Sequence, residues 1–190
     1  MVGLVLVSHS RLVADGAAEL ARQMGGADVA IVAAGGRAAA VRCDVTSRDQ
    51  IDALVDGAVA EHGRLDIMGN IAGVPHNRMV AEVSDEEFER ILAINMKSVF
   101  YGCQAAIRHM VPQGSGSIIN ISSGAIDTPA PTLACYAMTK AAVAMLTKTL
   151  ATEVGPAGIR VNAIAPGVIH TNFSRHNYVD EEGNEVPERV

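Results

Sequence analysis

The chain is 190 residues long, 49% hydrophobic and 19% charged, which is the composition of one globular domain with its own core and not of a disordered chain. A net charge of -6, with three Phe, three Tyr and no Trp, weighs against an electrostatic or base-stacking grip on nucleic acid, and against an anionic membrane. Cys43, Cys103 and Cys135 fit no disulfide or metal spacing, so a reducing cytoplasm is the expected location.

In chain order, the first apolar run is VGLVLV (2–7). No charged region precedes it, so it reads as a buried strand and not as a signal peptide. Further strand candidates are DVAIVA (28–33), AAVRCDV (39–45), LDIMGNIA (65–72), SIINIS (117–122) and IRVNAIA (159–165). Their apolarity is continuous and not alternating, which suits strands buried on both faces, as in parallel sheets. Helical patterns lie between them. Ser47-x-x-Gln50 and Ser84-x-x-Glu87 have the form of capping boxes. A third helix, YAMTKAAVAMLTKTLATEV, stops at Gly155-Pro156. Strand–helix alternation predicts a doubly wound α/β fold, a Rossmann-like parallel sheet with helices on both faces. No stretch is apolar enough to span a bilayer. The acidic tail NYVDEEGNEVPERV reads as a loop or frayed end.

Tyr136 and Lys140 stand at i and i+4, on one face near a helix start. Ser122 and Ser123 end a strand just upstream, and ligands of such sheets bind beyond the carboxyl ends of the strands. A phenol with an ordinary pKa of about 10 is a poor acid or base at neutral pH. An adjacent ammonium favours the phenolate and brings that pKa toward the working range. Taken alone, Tyr-x-x-x-Lys is equally a chance surface pair.

The motifs VRCDV, LDIMGNIAG, ILAINMKSVF, GSIINISS, YAMTK and RVNAIAPGVIHT follow in order from about Arg37 onward. In this order and spacing the chain resembles the short-chain dehydrogenase/reductase family. The resemblance implies an NAD- or NADP-dependent oxidoreductase that moves hydride between nicotinamide and an alcohol or ketone. It implies Tyr136 as general acid/base, Lys140 as the group that lowers its pKa and holds the cofactor ribose, and Ser123 as the polariser of the substrate carbonyl. Asn95 would hold a water linking Lys140 to solvent; a polar contact in the core is the alternative for this residue. Cofactor contacts implied are Asp44 and Val45 at the adenine, then Asn70, Ala72 and Gly73 in the turn after the fourth strand. Pro166, Gly167, Ile169 and Thr171 would meet the nicotinamide carboxamide. Ile71 replaces the family's second asparagine in that turn. Members of the family also continue into a further helix and a last strand, and often form homo-oligomers.

The opening departs from the pattern. The family's first strand leads into G-x-x-x-G-x-G, whose glycines admit a pyrophosphate at a helix N-terminus. Ser8 to Gly16 read SHSRLVADG, so cofactor affinity, and with it activity, is expected to be impaired. The crossover through 46–64 makes strands 39–45 and 65–72 parallel, and the first helix makes 2–7 and 28–33 parallel. Only Ala34 to Ala38 separate 28–33 from 39–45, too few for the dozen residues of a parallel crossover. Residues 1–36 resemble instead the start of a mannose-type phosphotransfer domain, as in the phosphotransferase subunit of dihydroxyacetone kinase, with His9 as phosphoryl carrier. The expected organisation is an atypical 1–36 segment and a partial dehydrogenase domain over 37–190, joined near Gly35-Gly36 and compact overall. Three functions compete: the oxidoreductase, an inactive fragment or binding module of the same fold, and the phosphoryl carrier. His62, His76, His109, His170 and His176 show no metal-ligand spacing and read as exposed or packing residues.

Overall fold

A computed structural model describes residues 5–6, 29–34 and 37–169. His9 and the Ser8–Gly16 stretch, Thr171 and the acidic tail lie outside the described residues.

Helix formation follows the caps. Ser47 accepts from the backbone N–H of Gln50 and opens helix α1 (Arg48–His62), which Gly63 closes at φ 78°. Gln50 does not reciprocate as a capping box requires: its Oε1 accepts from the Asp44 N–H at 2.8 Å, tying the helix to the preceding strand instead. Ile51, Leu54, Val55 and Ala58 are buried, the i, i+3, i+4, i+7 stripe of a core-facing helix. Full burial of each large aliphatic side chain contributes roughly 1.5–3 kcal/mol. At Ser84 the box is complete, with reciprocal bonds between Ser84 and Glu87, and it starts α2 (Asp85–Leu92). The helix does not run on unbroken to Met110. Residues Ala93–Lys97 widen into one π-helical turn before α3 (Ser98–Gln113), a feature that often marks a functional site. Helix α4 (Ala134–Val154) ends in a 3-10 turn through Gly155–Ala157.

Among the described residues six strands form one sheet in the order β3-β2-β1-β4-β5-β6. They are β1 (Val5–Leu6), β2 (Val29–Ala34), β3 (Arg37–Arg42), β4 (Ile67–Asn70), β5 (Gly116–Ile121) and β6 (Ile159–Ile164). This is the spatial order of a doubly wound dinucleotide-binding sheet. The expected Rossmann-like sheet is present, and its departure from parallel lies in the N-terminal strands. β4, β5 and β6 are parallel, and so are β1 and β2, but β1 runs antiparallel to β4 and β2 antiparallel to β3. The cause is the short link anticipated from the sequence. Ala34 pairs with Arg37, so only Gly35-Gly36 join β2 to β3, and two glycines between strands favour a hairpin. The two reversals cancel, leaving β3 and β4 pointing the same way, as their crossover demands.

Helices α3 and α4 pack against the parallel half, and α1 packs on α3. Along β6, Ile159 and Val161 are buried while Arg160 and Asn162 are exposed, the alternation of a strand with one face toward the core. Small side chains let α3 approach the sheet closely. A Cβ on Gly102 would stand 2.1 Å from Asn70 Oδ1 and 2.9 Å from Met68 Cε. The result is that the carboxyl ends of β4, β5 and β6 lie along one edge, beside the start of α4.

Candidate active site

That edge carries a cleft of about 750 Å³. Its walls are the loops that leave β4, β5 and β6, closed by the first turns of α4; Gly73, Ser123, Tyr136, Lys140, Pro166 and Ile169 all line it. The ladder between β5 and β6 continues past the strand ends, with Ser122 N–H donating to Ile164 O and Gly124 N–H to Pro166 O, both at 2.8 Å. These bonds fix the two loops against each other and hold Ser123 in extended backbone (φ -162°, ψ 150°).

The adjacent serines part ways. Ser122 is buried and donates its hydroxyl to the Lys140 carbonyl at 2.9 Å, which anchors α4 to the end of β5. Ser123 is half-buried and hydrogen-bonds the Tyr136 phenol. Lys140 is 3% exposed; its Nζ donates to Ile121 O at 2.8 Å and lies 5.7 Å from the centroid of the Tyr136 ring. Burial lowers the ammonium pKa to about 8. Burial also pushes the Tyr136 phenol up, with the Ser123 hydrogen bond pulling the other way. The anticipated lowering of the Tyr136 pKa by Lys140 is therefore not what this geometry produces. The ammonium donates one proton to the Ile121 carbonyl and lies over the ring, and desolvation of the phenolate wins.

Asn95 sits in the π-turn, fully buried. Its Oδ1 accepts from Val74 N–H at 2.8 Å and its Nδ2 donates to Val74 O at 2.9 Å. It thereby clamps the loop after β4 as a neighbouring strand would. Between Asn95 and Lys140 lies Gly73: a Cβ there would meet Lys140 Nζ at 3.4 Å and Asn95 Oδ1 at 3.6 Å.

Other predicted residues are not brought to the cleft wall. Asn70 turns into the core, donating to Asn120 Oδ1 at 2.9 Å, and Asn120 donates to Thr147 Oγ1 at 2.9 Å. Ala72 and Val45 are buried in the core. Asp44 lies past the end of β3 and accepts from the backbone and hydroxyl of Thr46, which with these bonds holds its carboxyl below the usual range. It follows β3, which is separated from β4 by the two strands β2 and β1. Cys103 contacts both asparagines, and burial pushes its thiol up to about 12.

The sequence reading missed His76, which lines the cleft with both ring nitrogens buried and without a partner among the described residues. Metal spacing was the wrong question for it; a histidine three residues past the Gly73 turn, at the strand end where ligands bind, was the available signal.

A Rossmann-type sheet with a serine, a tyrosine and a lysine gathered at its carboxyl edge defines a nucleotide-linked oxidoreductase fold. The family model for short chain dehydrogenase matches residues 7–182, and the chain belongs to the short-chain dehydrogenase family. It is 41% identical over 189 residues to 3beta-hydroxysteroid dehydrogenase 1 of Eggerthella lenta, covering 99% of this chain and 70% of that protein. It is 39% identical over 174 residues to the short-chain reductase protein NovJ of Streptomyces niveus, covering 89% of this chain and 66% of that one. The solved structure of ElxO with NADP bound superposes with a TM-score of 0.67 at 33% identity, over 70% of this chain and 54% of that one. The chain thus spans between about half and seven tenths of the length of these proteins. Because the family match begins at residue 7 and the hydroxysteroid dehydrogenase match covers 99% of this chain, the phosphotransfer reading of residues 1–36 and of His9 finds no support. The expected impairment finds none either.

Proposed function

We propose that the cleft is the hydride-transfer site of an NAD(P)-dependent oxidoreductase acting on an alcohol or ketone. The observation that carries this reading is the Ser123–Tyr136 hydroxyl pair at the wall of the cleft, with Lys140 buried beside it. When bound, a nicotinamide cofactor supplies the hydride acceptor or donor. Everything else is proton handling by the chain. Two hydroxyls side by side can hydrogen-bond one carbonyl oxygen, and Tyr136 can give that oxygen its proton in reduction or take it back in oxidation. Since burial keeps the phenol protonated, the acid form is the resting form at neutral pH.

The donor set fits the cofactor. An ammonium has three protons; Lys140 uses one on Ile121 O, which leaves others for ribose hydroxyls entering beside Gly73. The segment Pro166–Ile169 offers backbone groups along the same wall. Asn95 acts through its clamp on Val74, as a positioning residue. Asp44, Val45, Asn70 and Ala72 shape the strand ends behind and beside the cleft, and Thr171, which lies outside the described residues, would with Pro166, Gly167 and Ile169 hold the carboxamide.

The finer parts of the reading are a reducing cytoplasmic location, supported by three free, buried cysteines, and assembly into a homo-oligomer, supported by the exposed Phe100, Val111 and Met145 on α3 and α4. Among the described residues no helix is long and apolar enough to cross a membrane. We read the atypical 1–36 segment, most of which lies outside the described residues, as part of one compact domain with 37–190. The reading is tested by following NADH and NADPH oxidation with a panel of apolar ketones. Turnover with either cofactor supports it; cofactor binding by calorimetry without turnover of any ketone contradicts it.

A further inference from the structure

We infer that His76 is a specificity-determining residue that hydrogen-bonds a second oxygen on a neutral, largely apolar alcohol or ketone. The inference rests on the oxidoreductase reading and names the substrate class of that same site.

Three observations combine. First, both ring nitrogens of His76 are shut off from solvent and lack a partner among the described residues, although the residue lines the cleft. An imidazole always carries at least one N–H, and a buried donor without an acceptor is costly enough to be rare. Second, the ring is held from both sides along the chain. Two residues before it, Val74 is clamped by Asn95. Two residues after it, Arg78 N–H donates to Thr132 O at 3.0 Å and the Arg78 side chain pairs with Glu87 at 3.1 Å. Thr132 itself holds a positive φ of 70°, which a β-branched residue adopts only when its surroundings impose it. Such double anchoring belongs to a preorganised contact, not to a surface side chain.

Third, the setting selects the partner. Pro75, Ala130, Leu133 and Val168 make much of the cleft wall apolar, and Lys140, which donates to Ile121 O, is the one lysine, arginine or carboxylate side chain lining it among the described residues. Arg78 is neutralised by Glu87, whose carboxylate is close enough to feel His76. An anionic substrate group at His76 would meet that carboxylate, with the nearby Arg78 already paired to it. A hydroxyl or keto oxygen meets none of this repulsion. A site built to hydrogen-bond an oxygen discriminates against analogues that lack it.

The test uses matched ketone pairs with NADPH or NADH: cyclohexanone and 4-hydroxycyclohexanone, 2-decalone and a decalindione, and 5α-androstan-3-one with its 17β-hydroxy derivative. In the wild type at least one pair should favour the oxygenated member by about tenfold in kcat/KM, as one hydrogen bond allows. His76→Phe should bring that ratio to within about threefold of unity, and His76→Gln, which can still donate, should restore part of it. Thermal melts check that both variants fold, and the within-variant ratio cancels any general loss of activity. No preference in any pair, or a preference that survives His76→Phe, overturns the inference while leaving the oxidoreductase reading intact. Failure of the wild type to turn over any ketone sinks that reading, and this inference with it.

Discussion

The Ser122 hydroxyl donates to the Lys140 carbonyl at 2.9 Å, so one of two adjacent serines is committed to the backbone of the helix that carries the tyrosine and lysine. Its neighbour Ser123 faces Tyr136. The pair should therefore separate stability from turnover. Ser122→Ala should cost about 1 kcal/mol, the worth of one buried hydrogen bond, measured as a shift in the urea midpoint. Ser123→Ala loses the hydrogen bond from the Ala125 N–H at 3.2 Å, so it should move that midpoint by no more than Ser122→Ala does. It should lower kcat/KM by about 10²–10³, the range for one lost oxyanion donor, a loss that Ser122→Ala should not show. The opposite assignment of the two effects would place the reacting oxygen at the wrong serine.

Asn95 is predicted to fail differently. Its replacement by Ala leaves both the N–H and the C=O of Val74 without their partner, and two such losses should cost on the order of 2–3 kcal/mol. Asn95→Asp keeps an acceptor but drops the donor and buries a charge, so it should be no better. Denaturant unfolding of both variants checks this; a loss below about half a kcal/mol in Asn95→Ala would show that the clamp is not what holds the loop.

Gly102 and Asn70 should be coupled. A Cβ at residue 102 would sit 2.1 Å from Asn70 Oδ1, and Asn70 cannot swing away while it is bonded to Asn120. Gly102→Ala should destabilise by about 1–3 kcal/mol through overpacking. In the Asn70→Ala background the same change should cost markedly less, a non-additivity that a double-mutant cycle reads directly. Additive effects would mean that the contact relaxes freely.

Lys140 sets a pH dependence. Its pKa falls to about 8 in the fold, against about 10.4 unfolded. Below pH 8 both states hold the proton and the folded state bears the full cost of burying it. Between 8 and 10 the unfolded chain binds more protons, so stability rises with pH. Relative to Lys140→Met, the cofactor-free wild type should gain on the order of 2 kcal/mol across that window. Measurement should stop near pH 10, because the raised Tyr136 pKa reverses the slope once unfolded tyrosine ionises. A flat difference between the two proteins would place the ammonium in contact with water.

Much of this architecture was legible in the residues. Ser47 and Ser84 begin their helices, Gly63 ends one, and the short link before residue 39 forbids a parallel crossover; each is a local rule acting on a local segment. The sheet's mixed polarity follows from that link, but in sequence a Gly-Gly link between two strands looks the same as a junction between unrelated segments. Asn70 illustrates the limit more sharply. Its position in the turn motif suggests the cofactor, yet its side chain goes inward because Gly102 leaves room and Asn120 waits there, facts that depend on a helix and a strand remote in sequence. The Tyr136 pKa direction was misjudged for a related reason: spacing puts Lys140 on the same helix face but does not say that Ile121 O takes its proton. For His76 the sequence offers only its place near a strand end; that both its nitrogens are buried without a partner among the described residues depends on residues remote in sequence.

The central claim is that Tyr136 is the proton donor and acceptor of the site. Tyr136→Phe removes only the phenol oxygen and its proton, and the buried ring retains its packing. The decisive measurement is kcat/KM for a ketone turned over by the wild type, alongside calorimetric titration of NADPH into both proteins. The variant should bind NADPH within about threefold of wild type and lose about 10²–10⁴ in turnover, the contribution of a positioned general acid. Turnover at the wild-type rate by a folded, cofactor-binding Tyr136→Phe protein would contradict the account.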